Sequence, residues 1–382
     1  MTLDIPLSGL YPIFMFHPVP ITLLLLGGAY FYLRRNAAKH EGEDLTPYDS
    51  TPELFASAAP SEGMDALNAH IKQMFNGAAA KSALSTSGWE DKRERFDAAG
   101  LARDYEGVEF RQDTINVDGH EITGAWTLLA DSDADRRLLY IHGGAFAVGS
   151  DISHRALTVQ LARRTGMAVF APNYRLMPEN TRRDTIDDSR AAYQWILENG
   201  PDGPAPISKL AMAGDSAGGN LVLMLGNWAR KNSKRQADAI VAFSPLIDAT
   251  LSSPSMKRNL ATDRMLHPLL APVQKIPRII LLLAMAKQSG MSPADPDQSP
   301  IFDELSNLPP IFIQASDSEV LYDDSVRFAA KARAAKSPVT LQSWGGGLPH
   351  VWQIFDDFIP EANAALDEVQ EFLENYTYIT VT

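Results

Sequence analysis

A serine stands between two glycines directly after an apolar run, at residues 214–218 (Gly-Asp-Ser-Ala-Gly). Residues 210–213 are apolar and typical of the end of a strand, and residues 219–224 continue as a helix. Small residues on both sides let the chain turn sharply, so that the hydroxyl of Ser216 stands clear of the sheet. The pattern predicts a nucleophile elbow. This prediction depends on whether the chain also supplies the other residues that a serine nucleophile needs.

A serine hydroxyl needs a base, an acid that orients this base, and donors for the oxyanion that forms. After an elbow of this kind the chain order is serine, acid, histidine. Only His267 and His350 follow Ser216. His267 lies in an apolar segment well before the last strands, whereas His350 follows an apolar run at residues 339–344 and three glycines. We therefore predict His350 as the base. The alternative is that His350 is a surface loop histidine without a catalytic role.

Four acidic side chains lie at residues 315–324, after an apolar β run at residues 310–314. This is the carboxyl end of a strand, where open α/β sheets build their sites. Glu319 is predicted to orient the base, with Asp317 as the alternative, because spacing alone cannot separate two residues on one loop. The other two acids suit the first turn of the following helix, where carboxylates favour the positive end.

A glycine loop follows another predicted strand: residues 138–141 are apolar, and residues 142–146 read His-Gly-Gly-Ala-Phe. Glycines there let backbone N–H groups approach a reacting oxygen closely. His142 is predicted to hold the loop rather than to transfer protons, and Asp215 belongs to the elbow motif. The predicted oxyanion donors are the amides of Gly143, Gly144 and Ala217.

These motifs together resemble the bacterial hormone-sensitive-lipase-like esterases of the α/β-hydrolase superfamily. Residues 173–179 (Asn-Tyr-Arg-Leu-Met-Pro-Glu) look like that family's Tyr-Arg-Leu-Ala-Pro-Glu segment, and residues 244–248 and 349–352 match its later landmarks. The resemblance covers approximately residues 100–375. It implies a Ser-His-acid carboxylic ester hydrolase that uses no metal and no organic cofactor, and it makes a homodimer plausible.

The chain departs from the family pattern in two places. The family acid is usually an aspartate at the position of Glu319, so the glutamate here has one more methylene with which to reach the base. Residues 180–184 are polar where the family has a proline-rich turn. No functional conclusion follows from the second change.

Strands and helices alternate after residue 129, which predicts a mainly parallel, doubly wound sheet. Residues 108–129 predict two antiparallel strands joined at Asp118 and Gly119. The expected fold is an α/β-hydrolase fold with a helical cap, built from an N-terminal segment and an insertion after the sixth strand. The predicted domains are an apolar anchor helix at 1–40, a linker and N-terminal cap helices at 41–104, and a catalytic domain at 105–382 with a cap insertion at 255–298.

The composition excludes some classes of function. The chain has 382 residues with a net charge of −13, from 34 basic and 47 acidic side chains, which argues against nucleic acid as a partner. It contains no cysteine, which excludes disulfides, thiol catalysis and cysteine metal sites. Apolar residues make up 45% of the chain, as in an ordinary globular protein.

The N-terminal residues 11–33 carry no Asp, Glu, Lys or Arg and are followed by Arg34 and Arg35. This length would cross a bilayer as a helix, but three prolines leave only residues 21–33 as a clean apolar helix. We predict a membrane anchor, either spanning or interfacial, with packing on the cap as the alternative. If the segment spans, the basic residues after it place the catalytic domain in the cytoplasm.

The second cap segment, residues 259–289, contains an apolar stretch at residues 276–286. It is predicted to form a wall of the acyl pocket or a surface that meets lipid, with a buried cap helix as the alternative. The expected activity is hydrolysis of apolar acyl esters. Amide hydrolysis or acyl transfer by the same residues, and a non-catalytic ligand-binding receptor on this fold, are the alternatives.

Overall fold

The computed structural model describes residues 31–56, 62–74, 88–117 and 119–378. Nine strands form one central sheet. They are β1 (Leu54–Ala56), β2 (Glu109–Val117), β3 (His120–Leu128), β4 (Asp133–Ile141), β5 (Met167–Pro172), β6 (Lys209–Asp215), β7 (Ala239–Phe243), β8 (Ile311–Ser316) and β9 (Val339–Trp344). Their order across the sheet is β1-β9-β8-β7-β6-β4-β5-β3-β2. Neighbouring strands are parallel except in the pairs β2–β3 and β3–β5.

Helices connect the parallel strands and cover the sheet. Residues 31–37 are also helical. The other α-helices are α1 (Met64–Met74), α2 (Trp89–Leu101), α3 (Arg155–Thr165), α4 (Arg182–Glu198), α5 (Ala217–Lys231), α6 (Ser255–Arg258), α7 (His267–Leu270), α8 (Arg278–Ser289), α9 (Tyr322–Ala334) and α10 (Pro360–Thr377). Short 3₁₀ turns lie at Ala38–His40, Thr46–Tyr48, Val273–Lys275, Pro300–Phe302 and Trp352–Phe355.

The central strands are apolar on both sides because both faces of the sheet are covered. Every residue of β5, β7 and β8 is buried. Along β4, Leu139 and Ile141 belong to the core that also contains α4, α5 and α9, whereas Leu138 and Tyr140 belong to the core with α3 and α10. This arrangement confirms the mainly parallel, doubly wound sheet that the sequence predicts.

The predicted hairpin is also confirmed. Strands β2 and β3 pair along their whole length in antiparallel register, from Glu109 opposite Leu128 to Val117 opposite His120. The turn predicted between them includes residue 118, which lies outside the described residues.

The segment from residue 41 onward differs from the predicted linker. Leu45 is buried in the main core, and Asp49 forms an ion pair of 2.6 Å with the buried Arg327 of α9. Strand β1 then extends the sheet beside β9. Residues 45–56 therefore pack on the catalytic fold, and, counted from β1, the strand before the cap insertion is the seventh of the central sheet.

The cap has an N-terminal part and an inserted part. Helix α1 packs its buried side on Trp344, Trp352 and Phe355, which flank the loop after β9. The insertion between β7 and β8 carries α6, α7 and α8. Helix α8 is partly buried, with Leu282 and Ser289 buried, six residues half-buried and four exposed, so it is not the fully buried cap helix of the alternative.

The membrane anchor, spanning or interfacial, is predicted at residues 11–33, and only residues 31–33 of it lie within the described part of the chain. Among the described helices, none has by itself the length and apolarity of a span. The segments His267–Lys275 and Arg278–Ser289 reach this threshold only when taken together, and they are bent by 115° relative to each other.

Candidate active site

The predicted elbow lies between β6 and α5. Ser216 has φ 52° and ψ −114°, in a region that residues with a side chain rarely occupy. Its amide donates to the carbonyl of Phe243 at 2.8 Å, and its carbonyl accepts from the amide of Leu246 at 3.1 Å. The strand β7 and the loop after it therefore hold the strained turn in place.

The glycines of the elbow are required by close packing. A Cβ added to Gly218 would overlap the carbonyl oxygen of Ile141 and the backbone of His142. A Cβ added to Gly214 would overlap the backbone of Gly218 in the first turn of α5. The elbow therefore lies directly against the end of β4, where the glycine loop begins.

Glu319 and His350 come together from two neighbouring loops, after β8 and β9. His350 Nδ1 lies 2.6 Å from Glu319 Oε2, and both side chains are buried. The other carboxylate oxygen, Oε1, accepts from the amide of Ser316 at 3.0 Å. Both oxygens of Glu319 therefore have partners, which fixes the orientation of the imidazole.

The pKa values of His350 and Glu319 are both shifted from their ordinary values. Burial alone would lower the pKa of His350, but the hydrogen bond and the negative charge of Glu319 outweigh it and raise that pKa above its ordinary value. Burial also raises the pKa of the Glu319 carboxyl. His350 Nε2 is buried and has no hydrogen-bond partner among the described residues, so the structure does not join it to Ser216 by a hydrogen bond.

The side chains of the two alternative site residues, Asp317 and His267, have other hydrogen-bond partners. Asp317 accepts a hydrogen bond of 2.8 Å from the hydroxyl of Ser318. His267 Nδ1 lies 2.8 Å from the carbonyl of Leu260, at an exposed position in the cap. In the part of the chain that the structure describes, no group of three or more His, Asp or Glu side chains is arranged to hold a metal ion.

The glycine loop after β4 differs from the prediction in one donor. The amide of Gly143 donates to Asp215 Oδ1 at 2.9 Å, so its N–H is already used and the prediction of Gly143 as an oxyanion donor is corrected. Gly144 and Ala145 follow with φ of 110° and 53°, and their amides make no hydrogen bond within the described residues. The amide of Ala217 opens α5, where first-turn N–H groups have no acceptor inside the helix.

Asp215 connects the elbow to the glycine loop through a buried network. Besides Gly143, its Oδ1 accepts from the hydroxyl of Tyr140 at 2.6 Å and lies 3.5 Å from His154 Nε2. Burial would raise the pKa of Asp215, but the charge of His154 and these hydrogen bonds outweigh it and lower the pKa. No sequence motif pointed to Tyr140 or His154, because both are brought to Asp215 only by the packing of β4 and α3 against β6.

His142 contacts the same loop from beneath. Its ring stacks on Tyr174 with the centroids 4.2 Å apart, and its Nδ1 lies 2.7 Å from the carbonyl of Gly143. The hydroxyl of Tyr174 donates to the carbonyl of His142 at 2.8 Å. Burial lowers the pKa of His142 to about 3, so the ring is neutral in the physiological range. These contacts suit a residue that holds the loop.

The polar stretch at residues 180–184 places an arginine behind the glycine loop. Helix α4 begins there because Thr181 and Asp184 form a reciprocal capping box. Arg182, in the first turn, lies 3.7 Å from the ring centre of Phe146 and donates to Asn220 Oδ1 at 2.6 Å. Burial lowers its pKa to about 9, so it stays charged near neutral pH.

The cap insertion contacts the loop that carries Glu319. Asn259 Nδ2 donates to the carbonyls of Asp317 and Glu319 at 2.7 and 2.8 Å. Asp263 Oδ2 accepts from the amide of Val320 at 2.9 Å. Both side chains are buried. Sequence reasoning missed these two residues, since no motif marks them and only the fold brings the insertion onto this loop.

All these groups lie where the parallel strands end, at one edge of a sheet that is covered by helices on both faces. This placement, with a serine at the turn after β6, defines an α/β hydrolase. The model of the alpha/beta hydrolase fold family matches residues 138–354, and the chain belongs to that family. Within it, the protein is one of the bacterial hormone-sensitive-lipase-like esterases.

Relatives of known activity agree with this assignment. The chain is 35% identical over 246 residues to an esterase of Acinetobacter venetianus, covering 64% of this chain and 76% of the relative. It is 33% identical over 288 residues to an acetyl-hydrolase of Streptomyces hygroscopicus, covering 75% and 90%. A crystal structure of an esterase from the bacterial hormone-sensitive lipase family superimposes with a TM-score of 0.69 at 28% identity, covering 84% of this chain and all of that one. The protein is an esterase, and its prediction as a carboxylesterase or lipase is confirmed.

Proposed function

We propose that the protein hydrolyses apolar acyl esters through an acyl-enzyme formed on Ser216, with His350 as the base and Glu319 as the acid that orients it. The observation that carries the proposal is the contact of 2.6 Å between Glu319 and His350 Nδ1, which leaves the buried Nε2 free of other partners among the described residues. A neutral imidazole held in this way carries its proton on Nδ1 and offers Nε2 as a base.

The reaction has two halves. His350 Nε2 takes the proton of Ser216, whose oxygen attacks the ester carbonyl to form a tetrahedral intermediate. The alcohol leaves with the proton from His350, and the acyl group stays on Ser216. A water molecule, deprotonated by the same nitrogen, then attacks the acyl-enzyme and releases the carboxylic acid. Glu319 stabilises the imidazolium that forms in each half.

The oxyanion of the intermediate needs donors that are already aligned. The amides of Gly144 and Ala217 remain the proposed donors, and the free amide of Ala145 joins them. Asp215 supports this arrangement, since it holds Gly143 on one side and precedes Ser216 on the other.

Hydrolysis of p-nitrophenyl esters of increasing acyl length tests the reaction and measures the acyl pocket. Ser216→Ala and His350→Ala should each lose about 10³-fold or more of kcat, because the nucleophile or the base is gone. Ser233→Ala is the matched control, since Ser233 also has a left-handed φ, of 51°, but lies at an exposed turn after α5. Substantial turnover by Ser216→Ala would contradict the mechanism.

The same assay separates the alternative reactions. Added alcohols or amines that capture most of the acyl group in place of water would identify acyl transfer, and faster turnover of matched anilides would identify an amidase. Folded wild-type protein without any turnover would support a ligand-binding receptor on this fold.

The proposed function includes attachment to a membrane through residues 11–33, with the catalytic domain on the cytoplasmic side. The uncharged stretch and the basic residues after it support this. Deleting residues 1–30 should lower the fraction of the protein that partitions into the membrane, and unchanged partitioning would refute the anchor. A homodimer is proposed from the family resemblance, and sedimentation equilibrium in detergent would determine the subunit number.

A further inference from the structure

Helix α8 exposes an apolar surface that the described residues do not cover. Residues 279–286 are eight consecutive apolar residues, of which Leu282 is buried, five are half-buried, and Ile280 and Ala284 are exposed. Ile276 and Ile280 are 42% and 48% exposed. The preceding helix α7 and the 3₁₀ turn after it have no buried residue. An amphipathic helix of a water-soluble cap buries its apolar side chains, so this one lacks the partner that its composition requires.

The two segments that border this surface, residues 31–40 and 267–289, carry only basic charges, and Glu41, directly after the first segment, pairs with Arg34. Residues 267–289 contain no acidic residue, and neither do residues 31–40, although the chain as a whole carries a net charge of −13. A positive patch on an acidic protein fits an anionic surface. The basic residues of the two segments are Arg34, Arg35, Lys39, Lys275, Arg278 and Lys287.

The two segments are neighbours in space. Glu41 pairs with Arg34 and lies 3.9 Å from Arg278, the first residue of α8. His40 Nδ1 lies 2.9 Å from the hydroxyl of Ser292, just after α8. The C-terminal end of the proposed anchor therefore reaches the fold beside α8 and not at another side of the molecule.

We propose that α8, together with the bend before it, lies in the headgroup region of an anionic lipid bilayer as a second membrane contact. The apolar side chains enter the upper acyl region, and the basic residues meet the lipid phosphates, as in interfacial helices. Phe31 and Tyr32, 69% and 68% exposed, are further apolar side chains in the segment before Arg34.

This contact would set the orientation of the enzyme on the membrane. The insertion leaves the sheet after β7, at the same carboxyl edge that carries Ser216. With the bilayer against α8, the proposed ester substrates are those that dissolve in the membrane. The inference rests on the proposed function for the reaction and for the anchor, but the position of α8 can be measured separately from both.

The absence of cysteine allows a direct test, because one introduced cysteine can be labelled at a single position. Ile280→Cys in the full chain carries a polarity-sensitive fluorophore, and the protein is mixed with vesicles of phosphatidylcholine with and without phosphatidylglycerol. The matched control is Tyr378→Cys. Tyr378 is 52% exposed but packs over Arg136 near the start of β4, at the opposite edge of the sheet.

We expect the emission at position 280 to shift to the blue on anionic vesicles and to be quenched by lipids with brominated acyl chains, while the emission at position 378 stays unchanged. Two outcomes would overturn the inference. A label at position 280 that stays in water while the protein co-sediments with vesicles would leave the anchor as the only contact. A label that is already shielded without lipid, and unaffected by it, would show that residues 1–30 or a second copy cover α8. Esterase turnover of the labelled proteins reports separately on the proposed reaction.

Discussion

At the scale of single residues, the glutamate in the acid position has a specific geometry. One oxygen of Glu319 contacts His350, and the other accepts from the amide of Ser316 at the end of β8. Compared with the aspartate usual in the family, the extra methylene lets the carboxylate reach the imidazole while it is also bound to the end of this strand. We expect this contact to control both the rate and the pH dependence of turnover.

Replacing Glu319 by Gln should lower kcat by about 10²- to 10⁴-fold, because the imidazolium loses its counter-charge and its tautomer is no longer selected. The sign of the pH effect follows from the cause of the shift. Glu319 raises the pKa of His350, and the base works only when it is neutral. The acidic limb of the kcat/KM profile should therefore lie above about pH 6.5 in the wild type and move to lower pH in the variant.

Glu319→Asp is the matched comparison, since it keeps the negative charge and shortens the side chain by one methylene. If the charge dominates, this variant should retain more activity than Glu319→Gln, and the acidic limb of its kcat/KM profile should move less. Equal limbs in the wild type and both variants would mean that Glu319 does not act on His350 in solution.

At the scale of structural elements, the cap insertion and the loop after β8 are joined by Asn259 and Asp263. Asn259 bonds to two carbonyls of that loop, and Asp263 accepts from Val320 while its other oxygen accepts from the amide of Leu266 at 2.9 Å. The position of the insertion is thereby tied to the position of Glu319.

Two substitutions separate geometry from charge at this junction. Asn259→Ala removes the two donors but no charge, and it should lower kcat by about tenfold through a misplaced Glu319 while moving the acidic limb of the pH profile less than Asp263→Asn does. Asp263→Asn also removes a negative charge that raises the pKa of His350, so the limb should move to lower pH. Asn232→Ala is the control, because its side chain, among the described residues, bonds only to the carbonyl of Trp228 in the helix that it follows. Unchanged kcat in Asn259→Ala would show that the junction does not position the acid.

The elements show why sequence reasoning succeeds in some places and fails in others. Local signals, such as glycines around Ser216 and the alternation in β2 and β3, specify local geometry, so the elbow and the hairpin were predictable. Strand β1 has three residues, too few for periodicity to register, and it forms because β9 offers a free edge. The amide of Gly143 is taken by a carboxylate 72 positions away, which no local pattern reveals. The exposure of α8 likewise depends on what lies beside it.

At the scale of the whole molecule, the start of the cap insertion is bonded to α9 by a buried carboxylate. Asp324 Oδ2 accepts from the amides of Ile247 and Asp248 at 2.9 Å, and its other oxygen accepts from the hydroxyl of Ser253. The side chain of Asp248 is also buried. The catalytic sheet and the insertion are therefore connected through two carboxylates, Asp248 and Asp324, that both become buried when the protein folds.

This burial makes the stability of the whole fold depend on pH. Burial raises the pKa of Asp324 to about 7, and the negative charge of Asp248 acts in the same direction. In the unfolded chain the group titrates near pH 4. Between about pH 4 and pH 7 the folded protein therefore binds more protons than the unfolded chain, and the free energy of unfolding should fall as the pH rises through this window.

Asp324→Asn is neutral at every pH and should lack this decline. The difference in free energy of unfolding, variant minus wild type, should be larger at pH 8 than at pH 5 by about 1 kcal/mol or more, since one unit of pKa shift corresponds to about 1.4 kcal/mol. Urea denaturation at the two pH values measures the difference, with Asp131→Asn at an exposed turn as the control. Parallel pH dependence in the wild type and in Asp324→Asn would show that Asp324 remains ionised in the folded protein, and that hydrogen bonds from the insertion compensate its burial.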